Sequence, residues 1–466
     1  VLLWMITYYG RAGLYADVAL ILNIVLIFGI LAGLGFVLTL PGIAGIVLTI
    51  GMSVDANVII FERVKEELRA GKGQVQAIAD GFGNALSSIL DANITTGLTA
   101  IVLLMFGSGP IQGFATTLII GILTSLFTAI FVTRLMLERD FSKSKKNFTF
   151  TTFITDKLPK NLNINFLGKR KIAYIISSIL VLISIVSLTT KGLEGGIDFV
   201  GGRSYQVRFV DPVNPTQIGE ELSAVLGSTE VKTFGDANQV KITTKYKVDV
   251  EGSEVDNEIQ GLLYDNLSKY YPENFTYEDF TLGANASEIG ILQAVKVGPT
   301  IADDIKKDAL WAVLGSLVVI FLFILLRFRK WQFSLGAVAA LTHDVIIVLG
   351  VFSLTSHLMP FSMEVDQSFI AAILTVVGYS INDTVIVFDR IREETQKRGW
   401  RGTAIVNSAL NSTISRTLNT SLTTLVVLIA IFIFGGESLR GFMFAMIVGI
   451  SIGTFSSIFI ATPIMF

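Results

Sequence analysis

Runs of about twenty apolar residues, each long enough for a helix to cross the hydrocarbon core of a bilayer, recur along this chain and dictate its architecture. Full runs fall near 17–39, 42–61, 86–106, 113–135, 172–190, 308–327, 333–354, 368–389, 413–434 and 440–463, and Val1 to Tyr9 is the tail of one more. Of the 466 residues, 52% are hydrophobic and only 16% charged, against about 25% charged in soluble proteins. The fold class is therefore a polytopic α-helical membrane protein. Val1 opens inside an apolar run, with neither an initiator Met nor a signal peptide, so we expect a fragment of a longer protein. With no cysteine, disulfides, thiolate metal sites and thiol nucleophiles are excluded, and two histidines are too few for a histidine-based metal centre.

Basic residues orient the spans, because Lys and Arg collect on the cytoplasmic side. Arg11, the group Arg63 to Lys72, the segment Arg134 to Lys171, Arg327 to Lys330 and the group Arg390 to Arg401 mark alternate connections. The connections between them are short and poor in Lys and Arg, or consist of 192–305, which holds 19 Asp+Glu against 8 Lys+Arg. Alternation places 192–305 outside the cytoplasm. Within it, strand-like alternation at Tyr205–Phe209 and Gln239–Thr243, a helical pattern over Pro215–Leu226 and an amphipathic stretch over Glu254–Tyr271 predict a small α+β domain. The segment 138–171, rich in Lys among Asn, Ser and Thr, reads as a basic cytoplasmic linker lying against anionic lipid headgroups. The connections Glu62–Ala79 and Arg390–Asn407 read most simply as surface helices.

The chain repeats itself at an offset of about 327 residues. The segment Gly51-Met-Ser-Val-Asp-Ala-Asn-Val-Ile-Ile-Phe-Glu-Arg-Val-Lys-Glu-Glu67 lies over Gly378-Tyr-Ser-Ile-Asn-Asp-Thr-Val-Ile-Val-Phe-Asp-Arg-Ile-Arg-Glu-Glu394. Gly113-Phe114 matches Gly441-Phe442, and with small gaps Asp91 falls over Arg416 and Asn23 over Asp344. Both copies have the same orientation by the charge rule, so they form two parallel repeats about a pseudo-two-fold axis along the membrane normal.

Ionisable residues inside the spans are the candidate functional groups. Asp55 lies roughly 20 Å below the outer end of its helix, and Asp383 sits at almost the same depth in the second copy. A charge there costs at least ~2.5–3.5 kcal/mol, so an unpaired carboxylate facing lipid is untenable. Arg416, on a neighbouring span of opposite direction, is the expected partner of Asp383, as a titrating pair or as a static ion pair fixing helix register. The one-residue offset between Asp55 and Asp383 turns the two carboxylates about 100° apart, so Asp55 should reach the interface among polar neighbours such as Asn57. Asp91 and Asn93 could line the same cavity or bond between helices, and His343-Asp344 near the midplane could relay protons or form a structural bond. Glu62-Arg63 and Asp389-Arg390 end their helices where charged side chains ordinarily snorkel.

At this point the residues resemble a known family. Leu40-Pro-Gly-Ile-Ala-Gly through Gly51-Met-Ser-Val-Asp-Ala-Asn-Val-Ile-Ile-Phe-Glu-Arg63 resembles the signature helix of SecD. Gly195-Gly-Ile-Asp-Phe-Val-Gly-Gly202, Leu341-Thr-His-Asp344 and Gly378 through Arg390 resemble SecF. Together they look like the fused SecD–SecF family of the bacterial Sec machinery, within the resistance–nodulation–division superfamily.

The resemblance divides the chain into a SecD-like membrane half at 1–137 with its first helices missing, the linker 138–171, a first SecF-like helix at 172–191, a periplasmic domain at 192–305 and a SecF-like membrane half at 308–466. It implies a multi-pass inner-membrane protein that is not an enzyme and carries no cofactor. Such a protein draws on the proton gradient, with Na⁺ as the alternative ion, to complete export of unfolded preproteins. Its partners would be the Sec channel, the ATPase motor, the preprotein and membrane lipid, and no nucleic acid. Asp55, Asp383 and Arg416 match the family's ion-conducting residues. The rival readings are an exporter of small molecules or lipids, which shares the fold, and a passive scaffold for other translocase subunits.

Overall fold

The computed structural model describes residues 1–36, 38–107, 110–143, 150–152, 163–227, 229–250, 252–283 and 288–466. In chain order its elements are α1 (Leu2–Tyr9), α2 (Arg11–Gly33), α3 (Leu40–Arg69), α4 (Gln74–Phe106), α5 (Pro110–Phe127), α6 (Thr133–Lys143), α7 (Arg170–Thr190), α8 (Ile197–Val200), β1 (Gly202–Arg208), α9 (Pro215–Leu226), β2 (Thr229–Phe234), β3 (Asp236–Thr244), α10 (Ser253–Leu267), α11 (Tyr277–Leu282), β4 (Gly290–Val297), α12 (Pro299–Phe328), α13 (Trp331–Thr355), α14 (Gln367–Arg398), α15 (Thr403–Phe434), α16 (Glu437–Ser456) and α17 (Thr462–Met465). Ten helical segments among the described residues are long and apolar enough to cross a membrane. The polytopic helical class read from the apolar runs is the class observed.

The repeat is visible in how helices begin and bend. Thr39 caps α3 by accepting from Gly42 N–H at 3.1 Å, and Asp366, 327 positions later, caps α14 by accepting from Phe369 N–H at 2.8 Å. Each repeat's last long helix carries one wide π turn, Thr128–Val132 after α5 and Ser457–Ala461 after α16. There a hydroxyl five residues on donates to a turn carbonyl, Thr133 to Thr128 O and Thr462 to Ser457 O. The apolar windows of α3 and α14 are 78% and 89% buried, so these two helices form the centre of the bundle.

Helix ends depart from the apolar runs. The first run, read as 17–39, folds as Arg11–Gly33. The connections expected as surface helices over Glu62–Ala79 and Arg390–Asn407 are instead continuations of α3 to Arg69 and α14 to Arg398, followed after short turns by α4 and α15. Hydropathy stops at the first charge, but Glu, Lys and Arg are good helix formers and pair at i,i+3 here, so the helix does not stop. Of the basic linker, residues 144–149 and 153–162, including Lys145, Lys146, Lys157 and Lys160, lie outside the described residues. Its described ends pack on protein: Phe150 lies against Phe61, and Asn411 and Asn407 of α15 bond the backbone of Ile164 and Leu167.

The α+β domain is an antiparallel sheet in the order β2-β3-β1-β4. Tyr205 and Val207 from β1, with Val240 and Ile242 from β3, face Ile218 and Leu222 of α9 and Ile259 and Leu263 of α10. β2 and β4 escape the sequence pattern because neither alternates: every residue of β2 is half-buried, and β4 exposes four residues in a row. α12 already begins at Pro299. The domain joins the bundle through Gly195-Gly196. Gly196 N–H donates to Val365 O at 2.9 Å, and Val365 N–H donates to Glu194 O at 2.7 Å. A Cβ on Gly196 would come within 3.2 Å of the Glu364 carboxylate, so this bridge is closely packed at the glycine.

Candidate functional site

The two repeats meet where each central helix crosses a helix of the other copy, and glycine sets the distance. Gly51 of α3 approaches Thr424 of α15, whose side chain would lie 3.2 Å from an added Cβ. Its counterpart Gly378 on α14 approaches Thr99 and Thr96 of α4, and a Cβ there would fall 2.6 Å from the Thr99 hydroxyl oxygen. One turn below these crossings lie Asp55 on α3 and Asp383 on α14.

Both carboxylates are buried, with Asp55 5% and Asp383 2% exposed, so neither faces lipid. They are near enough to each other, and to Arg416 of α15, for the three charges to interact. The direct Asp383–Arg416 contact expected from the sequence is not made. Asp383 accepts instead from the hydroxyl of Ser421 at 3.4 Å, and Ser421 shares a 2.7 Å hydrogen bond with Thr454. Both oxygens of Asp55, and Nε and Nη2 of Arg416, are buried without a hydrogen-bond partner among the described residues, as is Oδ1 of Asn57. The polar neighbours expected for Asp55 are therefore not bonded to it. Arg416 precedes Ser421 by about 7.5 Å along α15, and in this geometry it is Ser421 that bonds the Asp383 carboxylate.

Other candidates occupy different surroundings. Asp344, wholly buried on α13, accepts from Ser380 of α14 and Ser456 of α16, each at 2.7 Å, and lies 3.0 Å from His343 Nδ1. Ser380 is one turn from Asp383 on α14, so Asp344 contacts the helix that carries Asp383, but the two carboxylates share no hydrogen-bonded group. Asp91 leaves the cavity altogether: it forms a two-pronged ion pair with Arg327 of α12 at 2.6–2.8 Å, which also reaches Ser87. Asn93 donates to the carbonyl of Ile89 in its own helix.

Sequence reasoning passed over Arg327, counted only as a topological marker, and Tyr379, whose hydroxyl donates to Thr424 at 3.1 Å beside both interface carboxylates. Tyr379 could have been found as the one polar ring in the repeated segment, where Met52 stands in the first copy. Glu62-Arg63 and Asp389-Arg390 do not snorkel but pair with neighbouring helices and residues.

At the outer end, Asp198, Glu364, Asp366 and Lys241 line a cavity of about 330 Å³ between the sheet and the bundle. Burial, with the nearby Asp198 and Glu364 charges, pushes Asp366 up to about 6 against the pull of the Phe369 N–H and Lys241.

Comparison with known proteins gives a consistent result. Residues 1–139 and 278–466 match the family described as protein export membrane protein SecD/SecF, C-terminal, and 186–213 match the SecD/SecF GG motif. The protein translocase subunit SecF of Rhodothermus marinus is 47% identical over 308 residues, covering 66% of this chain and 93% of its own. The protein translocase subunits SecDF of Brucella abortus and Bacillus subtilis are 35% and 34% identical over 99% and 100% of this chain, which spans 58% and 62% of their lengths. A crystal structure of SecDF from Thermus thermophilus, described as a translocon-associated membrane protein, superposes on 99% of this chain and 60% of its own with a TM-score of 0.85 at 34% identity.

Proposed function

The chain belongs to the SecD/SecF family of protein export membrane proteins, and from that premise we propose that it works as an accessory subunit of the Sec translocase, coupling inward ion flow to the export of unfolded preproteins. It is a multi-pass inner-membrane protein with a periplasmic domain. The ion is a proton, the partners are the Sec channel and its ATPase motor, and no covalent chemistry is performed on the preprotein.

One observation carries this reading: two carboxylates, Asp55 and Asp383, share one guanidinium, Arg416, in the buried seam between the repeats. Fully ionised, the three sum to −1, and a water-poor interior opposes an uncompensated charge. A proton taken up by either carboxylate brings the sum to zero. Loading and unloading therefore switch the charge of the surface on which the repeats meet, and each charge state favours a different fit of one repeat against the other. The geometry supports a shared partner rather than a fixed pair, since Arg416 is bound to neither carboxylate and free to serve both in turn.

The energy is adequate for a bias. One proton crossing 100 mV supplies about 2.3 kcal/mol, whereas shifting a two-state element from 1:99 to 99:1 takes about 5.5 kcal/mol. Several turnovers per preprotein follow. The test is export into inverted membrane vesicles with and without an uncoupler. Asp383→Asn should remove the uncoupler-sensitive part of export while leaving the ATP-driven part. Retention of that part in the variant would reject the reading, and its dependence on Na⁺ rather than pH would reassign the ion.

A further inference from the structure

Below the Asp55–Asp383–Arg416 seam, the cytoplasmic extensions of α3 and α14 carry a reciprocal set of charges. Arg63 of α3 reaches Glu393 of α14 at 2.9 Å, and Arg390 of α14 lies 3.6 Å from Glu66 of α3. The pairs are images of one another, because Arg63 and Glu66 map onto Arg390 and Glu393 at the 327-residue offset of the repeat. Within each helix the same side chains bond again, Arg63 to Glu66 at 2.8 Å and Arg390 to Glu393 at 2.9 Å. Four charges thus close into a ring across the seam. Arg390 also touches Ser412 and Glu394, and Glu393 also accepts from Lys397.

The two arginines are 17% and 16% exposed, far less than free cytoplasmic side chains, so the cations of the ring are set into the seam while its carboxylates, at 36% and 26%, keep contact with water. It is also coupled to the group above it, since Arg416 is within electrostatic reach of Arg63 and Glu66. A helix end that only needed solubility would not require its charges to match those of a second helix in both directions.

We infer that Arg63, Glu66, Arg390 and Glu393 form the inner gate of the ion path, closed in this structure, and that the repeats part on the cytoplasmic side only when both cross-seam pairs break. This rests on the proton-coupled reading given above. When Arg416 shifts its allegiance between Asp55 and Asp383, its charge moves relative to Arg63 and Glu66, and the ring is placed to respond. Water reaches the carboxylate side of both pairs and can replace the arginines as they part, which suits a gate that opens on every turnover.

The ring allows a test at constant net charge. Arg63→Glu with Glu66→Arg inverts α3 alone: attraction within the helix survives, but like charges face each other across both cross-seam pairs. Adding Arg390→Glu and Glu393→Arg restores the four attractions of the ring with the signs exchanged, at the loss of the contacts to Glu394 and Lys397. In proteoliposomes holding the full-length protein, the α3 inversion should dissipate an imposed pH gradient faster than the native protein does, the fourfold inversion should dissipate it at the native rate, and Asp383→Asn placed on the α3 inversion should stop the leak.

If the α3 inversion is not recovered folded, inverting α14 alone sets the same like charges against each other across the seam. Arg63→Cys with Glu393→Cys, in a full-length protein otherwise free of cysteine, provides a second test. A thiol cross-linker joining them should halt proton flux, and a cleavable linker should release it. An inverted chain that dissipates the gradient no faster than the native protein, or a cross-linked chain with undiminished flux, overturns the gate. Either result, with Asp383→Asn inactive, leaves proton coupling standing. Proton flux through an Asp383→Asn chain with the native ring would instead overturn the coupling itself.

Discussion

The hydroxyl of Thr96 on α4 donates to the carbonyl oxygen of Gly378 on α14 at 3.2 Å, a bond between a side chain of one repeat and the backbone of the other. Only a residue without a Cβ lets the helices come this close, and the same approach recurs in mirrored form where Gly51 meets Thr424. The seam that holds the carboxylates is thus set by two glycines.

The two sites are not equally tight, and this predicts an order of effects. Gly378→Ala should destabilise the protein by about 1–3 kcal/mol, the usual cost of overpacking, and Gly51→Ala by less, because its added methyl meets Thr424 at 3.2 Å rather than 2.6 Å. Thermal unfolding in detergent reads the order. Equal melting temperatures for the two variants would mean that the seam yields more readily than its geometry implies.

Asp91 and Arg327 should behave as a structural pair joining α4 to α12. Arg327→Gln leaves the carboxylate without its main partner and should cost about 2 kcal/mol, between the values for exposed and buried pairs. Adding Asp91→Asn should recover most of that loss, so the double-mutant cycle gives a coupling energy well above zero. Additive losses would show that Arg327 acts elsewhere.

At the periplasmic end the sign of a pH effect follows from Asp366. Its carboxyl titrates near 6 in the folded protein against 3.8 ordinarily, so the folded state holds a proton that the unfolded chain releases in this window. The resulting stabilisation is complete below about pH 4 and is lost as pH rises through about 6. Asp366→Asn, which still caps α14, should flatten that slope. If the variant's melting temperature falls with pH as steeply as that of the native protein, another group is responsible.

Much of the fold was legible because a bilayer imposes a length and a charge rule on every span. The repeat was legible because Gly51–Glu67 and Gly378–Glu394 share their spacing residue for residue. Which residue contacts which was less so. Asp383 and Arg416 have complementary charges on neighbouring helices, but rotation about α15 presents Ser421 to the carboxylate instead. Asp91 was drawn out of the cavity by Arg327, whose position at a helix end gave no sign that it folds back onto α4. The ring of Arg63, Glu66, Arg390 and Glu393 looked like ordinary interfacial charge, because pairing across the seam depends on how two helices distant in sequence are placed.

The central claim is that Asp55 and Asp383 jointly pass a proton through the seam, with Arg416 as their common counter-charge. Proton uptake by proteoliposomes under an imposed membrane potential tests it most directly, comparing the native protein with Asp55→Asn, Asp383→Asn and Arg416→Ala. The account predicts potential-driven uptake by the native protein and none by any of the three variants, all recovered folded. Uptake at the native rate by either Asp variant would contradict it.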